Sequence, residues 1–175
     1  THDGGTSFLG PNPPFGAVFT YFLRESLKTG KELRREREKK IRKEGGDVPI
    51  PGYDALEQED REEKPAVIMT VKDETGEVVR RISGPATKGF HRVSWDLRYP
   101  SNTPTEIDAQ SSRRQPTGPM VIPGKYTVTL SKLVNGSQEE LSSVQSFEVI
   151  PLEDANIPGH DKKQILSFQQ QTNEL

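Results

Sequence analysis

Lys64 to Leu97, KPAVIMTVKDETGEVVRRISGPATKGFHRVSWDL, decides the fold of this chain. Val67, Met69 and Val71 alternate with Ile68 and Thr70, the period-two pattern of a strand buried on one face. Asp73-Glu74-Thr75-Gly76 then supplies a turn, and Val78 to Ile82 runs back as the second arm of a hairpin. After Gly84-Pro85 and Lys88-Gly89, the odd positions His91, Val93, Trp95 and Leu97 alternate with Arg92, Ser94 and Asp96. The only tryptophan therefore falls on a face that turns inward, and the expected core joins Trp95 and Tyr126 with Val67, Val93, Val128 and Phe147.

Working outward, Phe15 to Leu23, FGAVFTYFL, is the first strand, rich in aromatic and β-branched residues. Pro123-Gly124 makes a turn, after which Tyr126, Val128 and Leu130 alternate with Thr127, Thr129 and Ser131. Asn135-Gly136 is the strongest short hairpin signal in the chain, and a single return strand is expected from about Glu139 to Ile150. Turns at these intervals give about six or seven strands, the cadence of a β-sandwich.

Between the first two strands the composition changes abruptly, so residues 24–64 read as a charged helical insertion. Leu27 to Glu44 is rich in helix formers with only Leu27, Leu33 and Ile41 as apolar anchors, and Gly45-Gly46 ends it. Val48 to Tyr53 is a Pro-rich turn and Asp54 to Glu63 a short acidic helix. Nine Lys and Arg lie between Lys28 and Lys43 and six Asp and Glu between Asp54 and Glu63, so the two arms are set to pair. Within the first, i to i+4 pairs are expected of Glu32 and Glu36 with Arg35, Lys39 or Lys40.

The flanks complete the division of the chain: residues 1–14 form a linker from a preceding domain, 15–150 the sandwich, and 151–175 a linker and the start of a C-terminal helix. That helix is capped by Asp161 and carries Ile165, Leu166 and Phe168 at helical spacing. The chain opens at Thr1 with neither an initiator methionine nor a signal-like segment, so a piece of a longer protein is expected.

Composition narrows the function classes. Of 175 residues, 30% are apolar and 29% charged, so part of the chain is expected to stay out of the core. Lys and Arg total 24 against 26 Asp and Glu, a formal net charge of −2, which argues against a nucleic-acid-binding domain. Without cysteine there is neither a disulfide framework nor a thiolate metal site. No apolar run approaches the roughly 20 residues of a membrane span.

The stretches TVKDETGEVVRRISGPATKGFHRVSWDLRYP and VIPGKYTVTL resemble the immunoglobulin-like domain of the bacterial flagellar hook-capping protein, with its D-x-x-G-x-x-V-R, W-D and P-G-x-Y signatures. Together with NPPFGAVFTYFL and the charged insertion they are similar to the C-terminal accessory region of secreted bacterial sortilin-like or BNR-repeat propeller proteins, often labelled glycosyl hydrolases. The likeness covers about Pro11 to Ile150. It implies a mainly β, immunoglobulin-like or fibronectin-III-like sandwich, an extracellular or periplasmic setting, and a neighbouring β-propeller as partner. It brings no catalytic residue, since hydrolysis would belong to the propeller. The family's W-D-G is here Trp95-Asp96-Leu97, a departure that favours a strand continuing to Tyr99.

No residue set in the chain has the spacing of an active site. His2, His91 and His160 are scattered without metal-ligand spacing. Asp73 to Glu77 lacks the alternating ligands of a calcium loop and reads as a hairpin turn. There is no G-x-S-x-G, P-loop or dinucleotide glycine pattern. A non-catalytic module without cofactor is the expectation, a carbohydrate-binding module using exposed Tyr53 and Tyr99 the alternative, and a hydrolase fragment the third. The polar stretch Arg98 to Met120, with its four prolines, and the Val48 to Tyr53 turn are the expected contact loops. Their candidate anchors are Tyr53, Tyr99 and Met120.

Overall fold

The computed structural model describes residues 15–101, 117–151 and 161–173. The linker expected over residues 1–14, His2, His160 and most of the Arg98 to Met120 loop lie outside them. In chain order the elements are β1 (Ala17–Leu23), α1 (Gly30–Lys43), α2 (Tyr53–Arg61), β2 (Ala66–Lys72), β3 (Val78–Gly84), β4 (Gly89–Trp95), β5 (Gly124–Val134), β6 (Ser137–Glu140), β7 (Gln145–Val149) and α3 (Lys162–Asn173). The chain is mainly β, with two antiparallel sheets and three helices among the described residues. One sheet pairs β1 with β4; the other runs β3-β2-β5, with β6 and β7 both on β5. This arrangement is compatible with a β-sandwich.

The two sheets meet through aromatic rings. Trp95 of β4, 1% exposed, meets Tyr126 of β5 and Phe147 of β7 edge to face at 5.9 and 6.2 Å. Phe19 of β1 packs on Phe147 at 5.5 Å. Such pairs add specific geometry to a large hydrophobic contribution. Trp95 gathers Val71, Val79, Val121 and Tyr126 around it, with Val128 and Phe147 at the margin. Val67 and Val93 belong instead to a neighbouring cluster with Tyr21, Leu23 and Met69. Phe19, Ile82 and Val128 touch both, so the expected single core has two buried centres.

Alternation holds in β1 and β4, where odd positions turn inward and even positions outward. In β3 it breaks. Lys72 pairs Val78 while Val71 pairs Arg80, leaving Val79 as the extra residue of a bulge, and its side chain turns into the Trp95 cluster. The expected return strand is likewise two strands. Between β6 and β7 the Leu130 N–H bonds the Ser142 hydroxyl at 3.2 Å instead of a ladder carbonyl, so the chain leaves the ladder over four residues and rejoins it. The β5–β6 turn has Asn135 and Gly136 at φ 50 and 72, the left-handed pair of a type I′ hairpin.

β4 stops at Trp95 and does not continue to Tyr99. Leu97 takes φ 58, a left-handed conformation that glycine adopts more readily, and Asp96 Oδ1 accepts from Arg98 N at 3.2 Å. The reversal brings the Arg98 carbonyl to the Trp95 indole N–H at 3.0 Å. Leu97 also packs against the Trp95 cluster, so side-chain burial holds a non-glycine residue in an unfavourable backbone region.

The oppositely charged arms do pair, as an antiparallel hairpin. α1 begins with a capping box: Thr29 Oγ1 accepts from Glu32 N, and Glu32 Oε2 accepts from Thr29 N. Arg34 grips Glu59 with two bonds of 2.6 and 2.7 Å, Lys31 meets Asp60 at 2.8 Å, and Glu62 accepts from the Gly30 N–H at the start of α1. The expected i to i+4 pairs of Glu32 and Glu36 give way to these. Glu36 binds Lys28, Glu32 serves the cap, and the i to i+4 pairs that form are Arg34 with Glu38 and Arg61 with Glu57. Neither helix buries a residue fully.

Candidate functional site

The three anticipated anchors fall in two places. Tyr53 opens α2 and is 78% exposed. Tyr99 and Met120 sit side by side, because the Arg98–Met120 bridge and the Tyr99 N–H to Pro119 carbonyl bond (2.9 Å) zip the ends of the polar loop together. Tyr99 is half-buried rather than an open platform. Its ring packs at the edge of the Trp95 cluster. Burial, with Asp73 and Glu77 nearby, pushes its phenol pKa up.

Beside this junction runs an apolar groove of about 910 Å³. Phe15, Leu97, Met120, Ile122, Phe147 and Ile150 form its floor, and α3 closes one side with Ile165 and Leu166. Asp161 starts α3 as expected, its Oδ1 accepting from Lys163 N at 2.8 Å. Of the three anticipated apolar positions only Leu166 is buried; Ile165 and Phe168 stay largely exposed. Arg98, Glu148, Lys162 and Gln169 supply the polar lining.

A second exposed apolar cluster lies on the outer face of the β1–β4 ribbon. Phe22 and Phe90 are register partners, 53% and 80% exposed, with ring centroids 4.8 Å apart and planes tilted by 45°. Val18, on the same face of β1, is also exposed. Sequence reasoning placed Phe22 in a strand and gave Phe90 no role. The signal was there: the alternation that turns His91 and Val93 inward turns Phe90 outward, and a second phenylalanine beside it makes a patch rather than a scattered exposed residue.

The side chains that could suggest chemistry are occupied structurally. His91 is half-buried against Tyr21, its Nε2 lying 2.6 Å from the Thr87 carbonyl oxygen. Asp73 Oδ1 accepts from Thr75 N, Thr75 Oγ1 and Glu77 N, which makes it the organiser of the β2–β3 turn. Among the described residues no group of three or more His, Cys, Asp or Glu could hold a metal ion, and no helix is long and apolar enough to cross a membrane. Comparison with protein-family models, with curated proteins and with solved structures finds no match to this chain.

Proposed function

We propose that this chain is a non-catalytic accessory module, an immunoglobulin-like or fibronectin-III-like sandwich that docks on, or spaces, a β-propeller domain within a larger secreted bacterial protein. The observation that carries the docking reading is the Phe22–Phe90 pair. Two adjacent phenylalanines on the outer face of a two-stranded ribbon make an apolar patch of the kind that marks interaction surfaces. The sandwich subclass draws support from Tyr126. It stands near the start of β5 and donates its hydroxyl to the Ile122 carbonyl four residues upstream, the geometry of a tyrosine corner. The likeness of the W-D and P-G-x-Y segments to propeller-associated domains supplies the identity of the partner.

Carbohydrate binding through Tyr53 and Tyr99 is the weaker reading. Tyr99 is half-buried, and the Phe22 and Phe90 rings are tilted by 45° to each other, whereas a sugar ring stacks on an open, flat aromatic face. The test is to titrate the chain with the separately expressed propeller of the same polypeptide and with a panel of glycans. Binding to the propeller, weakened at least tenfold by Phe22→Ser with Phe90→Ser, is the expected result. Micromolar binding to a glycan, abolished by Tyr53→Ala or Tyr99→Ala, would replace docking with sugar recognition.

A further inference from the structure

Among the described strands, β1, β3, β4, β6 and β7 lie at a sheet edge, and all but β1 carry a device against pairing with another chain. β3 has Arg80, Arg81 and the Val79 bulge, β4 has Arg92, β6 is only four residues long with Glu139 and Glu140 among them, and β7 has Glu148. Ala17–Leu23, AVFTYFL, holds no charged residue and no proline, and its register with β4 runs unbroken from Ala17 opposite Trp95 to Leu23 opposite Gly89. In an antiparallel pair every second residue turns its N–H and C=O to the neighbour. The other residues of β1 therefore point these groups away from β4, along an edge where no other described strand or helix runs. A row of unpaired backbone donors and acceptors is completed by another strand, which narrows what covers this edge to extended polypeptide.

We propose that the covering strand is β1 of a second copy of this chain, the two strands pairing antiparallel across a two-fold axis at Thr20 to join both ribbons into one four-stranded sheet. Centred there, every residue of β1 finds a partner. Thr20 meets the second copy's Thr20, Val18 meets the second copy's Phe22 on the outer face, and Phe19 meets the second copy's Tyr21 on the inner face. These are favourable cross-strand pairs, and no charge stands opposite its like. The same arrangement at the other edge of the ribbon fails, because β4 paired with itself about its central residue sets Arg92 against Arg92. The interface is isologous and consumes the open edge, so assembly stops at two copies. The outer faces of Phe22 and Phe90 stay uncovered, so the proposal goes beyond the docking reading and does not rest on it.

The test exploits a chain without cysteine. Directly opposed residues of an antiparallel pair have Cα atoms about 5 Å apart, within reach of a disulfide, whereas the two copies of Val18 would lie about 14 Å apart. Under mild oxidation Thr20→Cys should therefore cross-link into dimers, and Val18→Cys should not. Sedimentation equilibrium of the full chain from micromolar to millimolar concentration should show a monomer–dimer equilibrium. Thr20→Lys, at an exposed position, sets two lysines in opposition and should weaken the dimer by about tenfold. Thr20→Val keeps a β-branched pair, and Phe90 is one strand removed from the junction, so Thr20→Val and Phe90→Ser should leave the dimer unchanged. A chain that stays monomeric to millimolar concentration overturns the proposal. So does a dimer that Thr20→Lys leaves intact, or one that Phe90→Ser abolishes, which would set the copies face to face through the aromatic patch.

Discussion

The Tyr126 hydroxyl donates to the Ile122 carbonyl at 2.7 Å, tying the start of β5 to the loop that leads into it. The ring beyond that bond is buried between Trp95 and Phe147, so one residue pins both the corner and the core. Tyr126→Phe keeps the packing but leaves a carbonyl without its donor. The cost should be about 1–2 kcal/mol, between a net hydrogen bond and a full desolvation penalty. Urea unfolding at neutral pH reads this directly; an unchanged midpoint would show that the corner carries no stability.

The same tyrosine makes stability depend on alkaline pH. Burial pushes its pKa from 10.0 up to about 12, so the folded state favours the neutral phenol. Since the folded value lies above the unfolded one, this contribution is full below about pH 10 and is lost as pH rises through about 12. Tyr21 and Tyr99 shift in the same direction through burial. Thermal unfolding scanned across that window should show a falling midpoint, and Tyr126→Phe should flatten the fall. A slope identical in parent and variant would assign the alkaline sensitivity to other groups.

Gly16 touches β4 so closely that a Cβ there would lie 1.9 Å from the Trp95 carbonyl oxygen, and its φ of 104 already suits glycine. The clash is backbone on backbone, so it can be relieved only by moving β1 away from β4. Gly16→Ala should cost about 3 kcal/mol, the upper range for overpacking. Gly76 is the control: its φ is 86 but nothing lies within 4 Å of where a Cβ would stand, so Gly76→Ala should cost only about 1 kcal/mol of backbone strain. Equal costs would mean that the β1–β4 contact is loose.

What could be read from the sequence followed from periodicity and local chemistry. The inward odd positions of β4, the Asn135-Gly136 turn, the Asp161 cap and the mutual attraction of the arms each depend on residues close in sequence or on bulk charge. The capping box at Thr29 and Glu32 was equally local, and it starts α1 later than the run of helix formers suggests. Other features depend on a partner strand. Val79 turns inward because of the register that β2 imposes, and the return strand divides because Ser142 offers Leu130 a side-chain acceptor. Neither β-bulges nor side-chain substitutions in a ladder leave a periodic trace. The exposure of Phe90 was implicit in the alternation, but the groove between Leu97, Met120, Phe147 and α3 joins segments far apart in the chain, and no spacing announces it.

Removing the hairpin should leave the strands folded, provided the cut spares its base. Leu27 packs on the Tyr21 cluster and its N–H bonds the Ala86 carbonyl at 2.8 Å, while Ser26 Oγ accepts from Lys88 N. Beyond Leu27, α1 and α2 bury no residue fully. A Gly-Ser linker replacing residues 29–63 should therefore preserve one cooperative unfolding transition, since lengthening or shortening a surface connection changes closure entropy only slowly. Extending the cut to Ser26 and Leu27 should lower the denaturation midpoint. Loss of cooperativity in the shorter deletion would show that the arms support the two sheets.

The turn after β4 holds a residue that its backbone disfavours, and two substitutions can separate the opposing effects. At φ 58, Leu97 carries a steric penalty of about 1–2 kcal/mol for its Cβ. It stays because its side chain is half-buried against the Trp95 cluster and its carbonyl accepts from Val121 N at 2.8 Å. Leu97→Ala removes the packing and keeps the penalty. Leu97→Gly removes both. The glycine variant should therefore be the more stable of the two by about 1 kcal/mol, reversing the order seen at ordinary positions, where glycine is the worse. Both should fall below the parent if packing outweighs strain. Urea midpoints of the three proteins decide it: an alanine variant at least as stable as the glycine variant would mean that the turn relaxes out of the left-handed region once the leucine is gone.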